Sequence, residues 1–385
     1  MRRTPVLWAC HFTFTPRYRN LIPAVPISVP ISISTSVRHL SGSRSSLDSA
    51  SSLADRDKER YTDRHRGRDR DRGNGMPRLN LASRNAIDRL RAYKPPPTNY
   101  DLVPLSRRAA VLILLYADSK GDLRVVLTIR ASTLSSYAGQ AALPGGKSDS
   151  ETETPFQTAR REAHEEIGLP GIAGPLPPPF KVEHICEIPA SFARTELVVR
   201  PCVALLHTFN EETGQNADPE TSLIPRLDAR EVAAVFTAPF ADFLSVLGGA
   251  EAGDGEGDPE WYQGQWVEWF GTRWRMHHFF VPTAHNVVVK PRARTQSQSQ
   301  SQSQSQSQPQ RLQQQQQRKA IQALEDKESS GEITRYRVWG MTARILVDVA
   351  RLAYNREPEF EHNGHCGDED LITRVRGEGR LGAKI

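Results

Sequence analysis

The chain has 385 residues, 25% of them charged, and a net charge of +5. Residues 1–75 hold 14 Lys/Arg against 7 Asp/Glu, a local +7 that leaves −2 for the remainder, so a nucleic-acid-binding core is not indicated. Four scattered cysteines (Cys10, Cys186, Cys202, Cys366) suit a reducing compartment without a disulfide framework or zinc ribbon, and no apolar run approaches the ~18 residues of a membrane span.

Residues 1–47 contain six arginines, many Ser/Thr and no Asp or Glu, the composition of a mitochondrial presequence. Arg38-His39-Leu40-Ser41 resembles a matrix processing site, although Pro23, Pro26 and Pro30 interrupt an amphipathic helix there. A peroxisomal or cytosolic address is the alternative; Ala383-Lys384-Ile385 is a poor match to a Ser-Lys-Leu ending. The alternating Arg/Asp run at 55–72 is expected to be solvated, and residues 1–75 together a disordered basic tail.

A folded domain is predicted over residues 76–355. Ser83 is expected to cap a helix through Tyr93, stopped by Pro95-Pro96-Pro97. Ala109–Tyr116 and Arg124–Ile129 are apolar runs separated by the turn residues Asp118–Asp122, hence adjacent strands or a hairpin. After a central polar motif come a proline-rich loop, strands at His184–Ile188 and Leu197–Leu206, a turn-to-strand run at Asp228–Phe236 and a helical stretch at Phe240–Leu247. Residues 248–258 form a Gly/acidic linker. Trp261–Val289 is predicted as aromatic-rich strand, packing first and only secondarily a platform for an aromatic base. A Gln/Ser insert at 291–331 is disordered by composition, Val338–Tyr354 forms a last amphipathic helix, and 356–385 is a flexible tail whose His362, His365 and Cys366 are incidental.

The central motif is Gly145–Leu169, GGKSDSETETPFQTARREAHEEIGL. Thr154 and Gln157 make a capping box with Pro155 at the first helical position, and Gly168 and Pro170 mark the end. Phe156, Ala159, Ala163 and Ile167 make the buried stripe. Glu162, Glu165 and Glu166 crowd an adjoining face, which a nearby cation or good solvation must relieve. Gly145-Gly146 can turn backbone groups toward a ligand with no Cβ in the way, and Arg161 can pair with Glu153 to fix loop to helix. Hard oxygens suit Mg²⁺ or Mn²⁺, and the chemistry expected is metal-assisted hydrolysis of a phosphoanhydride.

Arg161-Glu162-Ala163-His164-Glu165-Glu166-Ile167-Gly168-Leu169 is similar to the second half of the Nudix box, without a mismatch. Seven residues lie between Glu153 and Arg161 as usual, but six separate Gly146 from Glu153 where five are typical. This longer loop with Asp149 resembles the coenzyme A diphosphatase branch, of the fungal peroxisomal or mitochondrial type. So does the upstream run Leu127-Thr128, Arg130, Leu134, Gly139 and Pro144-Gly145-Gly146, with departures at Ala131, Ser135 and Leu143.

The resemblance implies a Nudix α/β/α sandwich with a mixed sheet. It implies that Glu162 and Glu166 ligate the metal, and that Glu165 is a further ligand or holds Arg161. Glu231 is the candidate additional acid. Arg130, Gly139, Gly145, Gly146 and Asp149 would contact a small-molecule substrate, coenzyme A or an acyl derivative. The alternatives are NADH or another nucleoside diphosphate derivative, or a non-catalytic Nudix binding module. Oligomeric state is not readable.

Overall fold

The computed structural model describes residues 79–130, 140–210, 215–219, 223, 232–249, 258–283, 288–289 and 308–382. The presequence reading at 1–47, the Arg/Asp run, and candidates Gly139 and Glu231 lie outside the described residues.

Helix α1 (Leu81–Ala92) is capped by the Asn80 side chain, which accepts from the Ser83 N–H. The cap thus sits three residues earlier than expected; the Asn80 Nδ2 also reaches Asp122, tying the helix start to a turn the local sequence cannot foresee. Strands β1 (Arg108–Ala117) and β2 (Leu123–Arg130) form the antiparallel pair expected, joined by the Asp118–Asp122 turn. The pairing covers only Leu115–Ala117 against Leu123–Val125. Beyond it the two strands part, and two short strands fill the gap. β3 (Ala141–Ala142) pairs with Thr128 and Ile129 of β2, while β4 (Gly145–Lys147) pairs with Ala109–Val111 of β1. That split positions the site.

Helix α2 (Pro155–Ile167) follows, then β5 (Lys181–Glu187), β6 (Ser191–Phe192) and β7 (Val198–His207). β7 runs parallel to β1 and antiparallel to β5, so the sheet is mixed. A small ribbon of β8 (Phe209–Asn210) and β9 (Gln215–Asn216) precedes β10 (Val232–Pro239), which lies antiparallel to β2. The stretch expected to be helical near Phe240 is one 3₁₀ turn, Ala241–Leu244. Gly248 and Asp258 pair across a single bridge at the two ends of the linker. β11 (Tyr262–Trp269) and β12 (Thr272–Pro282) make a hairpin. β13 (Val288–Val289) joins the edge of β10, completing the principal order β13-β10-β2-β1-β7-β5.

Alternation along β1 divides the core in two. Ile113 and Leu115 face one way with Leu127, Val203 and Leu205, under α1 and α4 (Gly340–Tyr354). Leu112, Leu114 and Tyr116 face the other way with Ala204 and Leu206, under Ala159, Ala163 and Ile167 of α2. Helices on both faces of a mixed sheet give the expected α/β/α sandwich. Each fully buried Leu or Ile contributes about 1.5–3 kcal/mol, so both layers are strongly held.

Two stretches depart from expectation. Within the Gln/Ser insert predicted to lack structure, Gln308–Ser329 is a helix, α3. Gln, Ala, Leu, Glu and Lys are all good helix formers; Leu324 reaches the core and Glu328 accepts from the Tyr336 hydroxyl. Its partner strand β14 (Arg335–Trp339) pairs with β12 before the chain enters α4, so strand precedes helix where helix alone was expected. The supposedly flexible 356–385 tail includes α5 (Glu369–Gly377), with Leu371, Ile372 and Val375 buried beside Tyr100 and Phe192. Asp368 accepts from the Phe192 N–H and pairs with buried Arg344 at 2.5 Å. His362 is likewise built in, between Asp348 (2.9 Å) and His277 (2.8 Å). These contacts span from 14 to 176 residues in sequence and follow no helical or strand periodicity.

Candidate active site

The site begins where β4 lies against β1. Gly145 has φ +155°, and a Cβ there would stand 2.3 Å from the Ala110 carbonyl oxygen, so the strand can approach only as glycine. Its N–H donates to Glu166 Oε2 at 3.0 Å. At Gly146 a Cβ would fall 2.4 Å from the Glu162 carboxyl carbon. The two glycines thus admit the carboxylates of α2 directly against the backbone.

The α2 boundaries are those the sequence signals. Thr154 Oγ1 accepts from the Gln157 N–H at 3.2 Å, and Gln157 Oε1 accepts from the Thr154 N–H at 2.8 Å. Gly168 closes the helix at φ 72° in the left-handed region. Thr158, fully buried, bonds Ser148 Oγ at 3.0 Å, which bonds the Tyr100 hydroxyl at 2.7 Å. This hydroxyl chain locks the loop to the helix from beneath. No spacing rule links Tyr100, Ser148 and Thr158, so the sequence reading missed them.

Arg161 is the centre of the acidic face. Its Nε lies 2.9 Å from Glu153 Oε1 and 3.2 Å from Asp149 Oδ2. Its Nη1 lies 3.0 Å from Glu162 Oε1 and 3.5 Å from Glu165 Oε1, and its Nη2 donates to the Lys147 carbonyl at 2.7 Å. The expected Glu153–Arg161 pairing is present despite the extra loop residue. The Asp149 N–H donates to Glu153 Oε2 at 2.9 Å, so the longer loop folds back through the Asp149 backbone. This guanidinium supplies the cation for Glu162 and Glu165 of the crowded face.

The electrostatics follow from these contacts. Burial pushes the Glu162 carboxyl above the usual carboxylate range; Arg161 opposes the shift, and Glu165 and Asp149 add to it. For Glu153 burial also pushes upward, but the bonds from Arg161 and the Asp149 N–H outweigh it and hold the group below that range. Desolvation would lower Arg161, yet Glu153 and Glu162 raise it further, so it stays charged throughout.

Arg130, at the end of β2, brings its Nη1 to 3.8 Å from Glu166 Oε1. Its buried Nε finds no hydrogen-bond partner among the described residues. Such a buried guanidinium N–H beside an acidic site can receive an anion. The structure therefore brings together Arg130, Gly145, Gly146, Asp149, Arg161, Glu162, Glu165 and Glu166.

Among the described residues no three His, Cys, Asp or Glu side chains already converge as a metal cage. The donors nonetheless fit a hard divalent cation. The Glu162 carboxylate occupies the space a Cβ at Gly146 would take, Glu166 is held by the neighbouring N–H, and all the oxygens are of the class that Mg²⁺ and Mn²⁺ prefer.

A family model described as the NUDIX domain matches residues 106–222. Peroxisomal coenzyme A diphosphatase 1 of Saccharomyces cerevisiae is 30% identical over 323 residues, covering 78% of this chain and 85% of that protein. Nudix hydrolase 15, mitochondrial, of Arabidopsis thaliana is 28% identical over 254 residues, 66% of this chain and 61% of its own length. The chloroplastic Nudix hydrolase 22 of the same plant is 28% identical over 257 residues, 66% and 58% respectively. This chain thus spans less than two thirds of either plant protein. The family model takes in both motifs whole, and the yeast relative matches across most of both lengths: the chain belongs to the Nudix hydrolase family, as a Nudix diphosphatase.

Proposed function

We propose that this diphosphatase cleaves the diphosphate of coenzyme A or its acyl derivatives. The products are 3′,5′-ADP and 4′-phosphopantetheine, or its acylated form. The observation that carries this reading is the seating of Arg130, 3.8 Å from Glu166 and with a buried Nε that has no partner among the described residues, because it couples the upstream run to the box. The yeast relative bearing the coenzyme A diphosphatase name supports the same substrate.

Nudix hydrolases generally use divalent metals such as Mg²⁺ or Mn²⁺. Bound here, such an ion would neutralise diphosphate oxygens and acidify a water. Glu162 and Glu166 would hold it. Glu165, half-exposed at 3.5 Å from Arg161, serves as a further ligand or as that arginine's partner. Arg161 keeps the acids close without mutual repulsion and anchors Glu153 and Asp149 beside them. Arg130 receives a substrate phosphate. Gly145, Gly146 and Asp149 shape the floor and rim; Gly139 and Glu231 are carried as substrate contact and additional acid.

Substrate profiling tests the reading. Turnover of coenzyme A with Mg²⁺ should far exceed that of NADH and ADP-ribose; the reverse ranking sinks the substrate assignment while leaving the family intact. The address is a separate proposal: residues 1–47 direct the chain to mitochondria, with peroxisomes or cytosol as the alternative. Imaging the full chain beside one lacking residues 1–47 tests it, and identical distributions would contradict it.

A further inference from the structure

The sequence offers Trp261–Val289 as aromatic packing or, secondarily, a base platform. Most of those rings are committed to packing. Trp261 is buried and donates to the Asp242 carbonyl, Phe279 sits in the core, and Trp266 donates to Glu361. A different set is exposed to ligand. His278 on β12 is the cross-strand partner of Trp339 on β14, and strand alternation puts both, with Arg337, on the face opposite the buried Phe279, Tyr336 and Val338. The His278 and Trp339 rings stack at 5.8 Å with planes 7° apart, and the Arg337 guanidinium lies 4.7 Å from the indole centroid. Both rings are half-buried and Arg337 is exposed.

This ladder adjoins the acidic site. The Trp339 Nε1–H donates to Gln140 Oε1 at 2.9 Å, the Gln140 carbonyl accepts from the Arg130 N–H at 3.0 Å, and Arg130 reaches Glu166. Arg337 also differs from its neighbour on the same strand. Arg335 is paired with Asp258 and Glu260, whereas Arg337 has no carboxylate partner among the described residues. Desolvation and then Arg337 hold the His278 imidazole below its usual range, so the ladder carries its single positive charge on Arg337.

We infer that the Trp339–His278 ladder stacks the adenine of the substrate and that Arg337 receives the phosphate on its ribose. The inference rests on the coenzyme A reading above and adds the residues that select a 3′-phosphorylated adenine nucleoside. Aromatic faces bind bases through stacking whatever their edge pattern, and an exposed guanidinium recognises phosphate in a forked geometry.

The test titrates adenosine 3′,5′-bisphosphate and adenosine 5′-monophosphate into the full chain and into Trp339→Ala, Trp339→Phe and Arg337→Gln by calorimetry. Trp339→Ala should weaken both nucleotides by about tenfold, while Trp339→Phe, which keeps a ring, retains most affinity and shows that folding is not the cause. Arg337→Gln should weaken the bisphosphate by about tenfold and leave the monophosphate within about twofold. Failure of the wild type to bind the bisphosphate, or unchanged affinities in Trp339→Ala and Arg337→Gln, overturns the inference. Coenzyme A turnover separates it from the function reading. Cleavage with an unaltered KM in both variants rejects the ladder alone. Ladder-dependent binding without cleavage rejects the substrate alone.

Discussion

The β4–α2 unit and the C-terminal assembly of β11, β12, β14 and α5 are held by opposite means. In the first, a capping box, a left-handed glycine and the Arg161 fork all act within 25 residues of one another. In the second, Arg344 pairs with Asp368, Glu369 accepts from Thr98, Asn99 and Ala190, and His362 links Asp348 to His277. The first places reactive carboxylates at a surface. The second buries charge that is satisfied by partners on other elements. Variants of the reactive carboxylates should therefore lose turnover without stability, and variants of the buried charges stability without turnover.

The largest expected effect lies in the second region. Arg344 and Asp368 are almost fully buried, and replacing Arg344 by Met removes the guanidinium paired with Asp368, while Asp348 keeps Arg351 and His362. Breaking such a pair costs about 3–5 kcal/mol. Thermal unfolding should show that loss, while kcat measured on the folded fraction stays close to wild type; a collapse of kcat at unchanged stability would merge the two classes.

Glu166→Gln makes the converse cut. The amide can still accept from the Gly145 N–H, so the fold should hold, but turnover should fall by about a hundredfold or more. Unchanged turnover would remove Glu166 from the site.

A third effect depends on pH. Burial alone would raise the Glu369 carboxyl, but the N–H groups of Asn99 and Ala190 and the side chains of Asn99 and Thr98 outweigh it and hold the group below the usual range. A depressed folded value means this stabilisation is fully present above the unfolded carboxylate pKa. It is lost as pH falls through the folded value. Glu369→Gln should lower the melting temperature at neutral pH and flatten its decline in acid; parallel curves for the two proteins would refute the link.

The smallest effect tests the first region's local design. Thr154→Ala removes one half of the capping box and should cost about 1 kcal/mol in urea unfolding. A loss several times larger would show that α2 depends on its cap more than on Ala159, Ala163 and Ile167.

These differences explain what the sequence disclosed. The β1–β2 pair, α2 with both ends, the buried stripe and the Glu153–Arg161 contact all rest on alternation, helical periodicity or capping, which are local. The parting of β1 from β2, which admits β3 and β4 and so makes the site mouth, has no local mark. Nor does the ordering of α5. Its three buried apolar residues are too few to announce a helix, and the anchors at Asn99 and Ala190 lie far away in sequence. The helix at Gln308–Ser329 was hidden for another reason. Low-complexity composition obscured residues that individually favour helix, and the contacts of Leu324 and Glu328 supply what composition does not. In the site, Arg130 and the box were readable as motifs, but the Tyr100–Ser148–Thr158 chain and the Gln140–Trp339 contact emerge only from the fold.

The most direct test of the central claim is product identity after incubating the full chain with coenzyme A and Mg²⁺. The account predicts equimolar 3′,5′-ADP and 4′-phosphopantetheine by mass spectrometry, formed by Glu166→Gln about a hundredfold or more slowly. Intact coenzyme A under conditions where NADH or ADP-ribose is cleaved would contradict it.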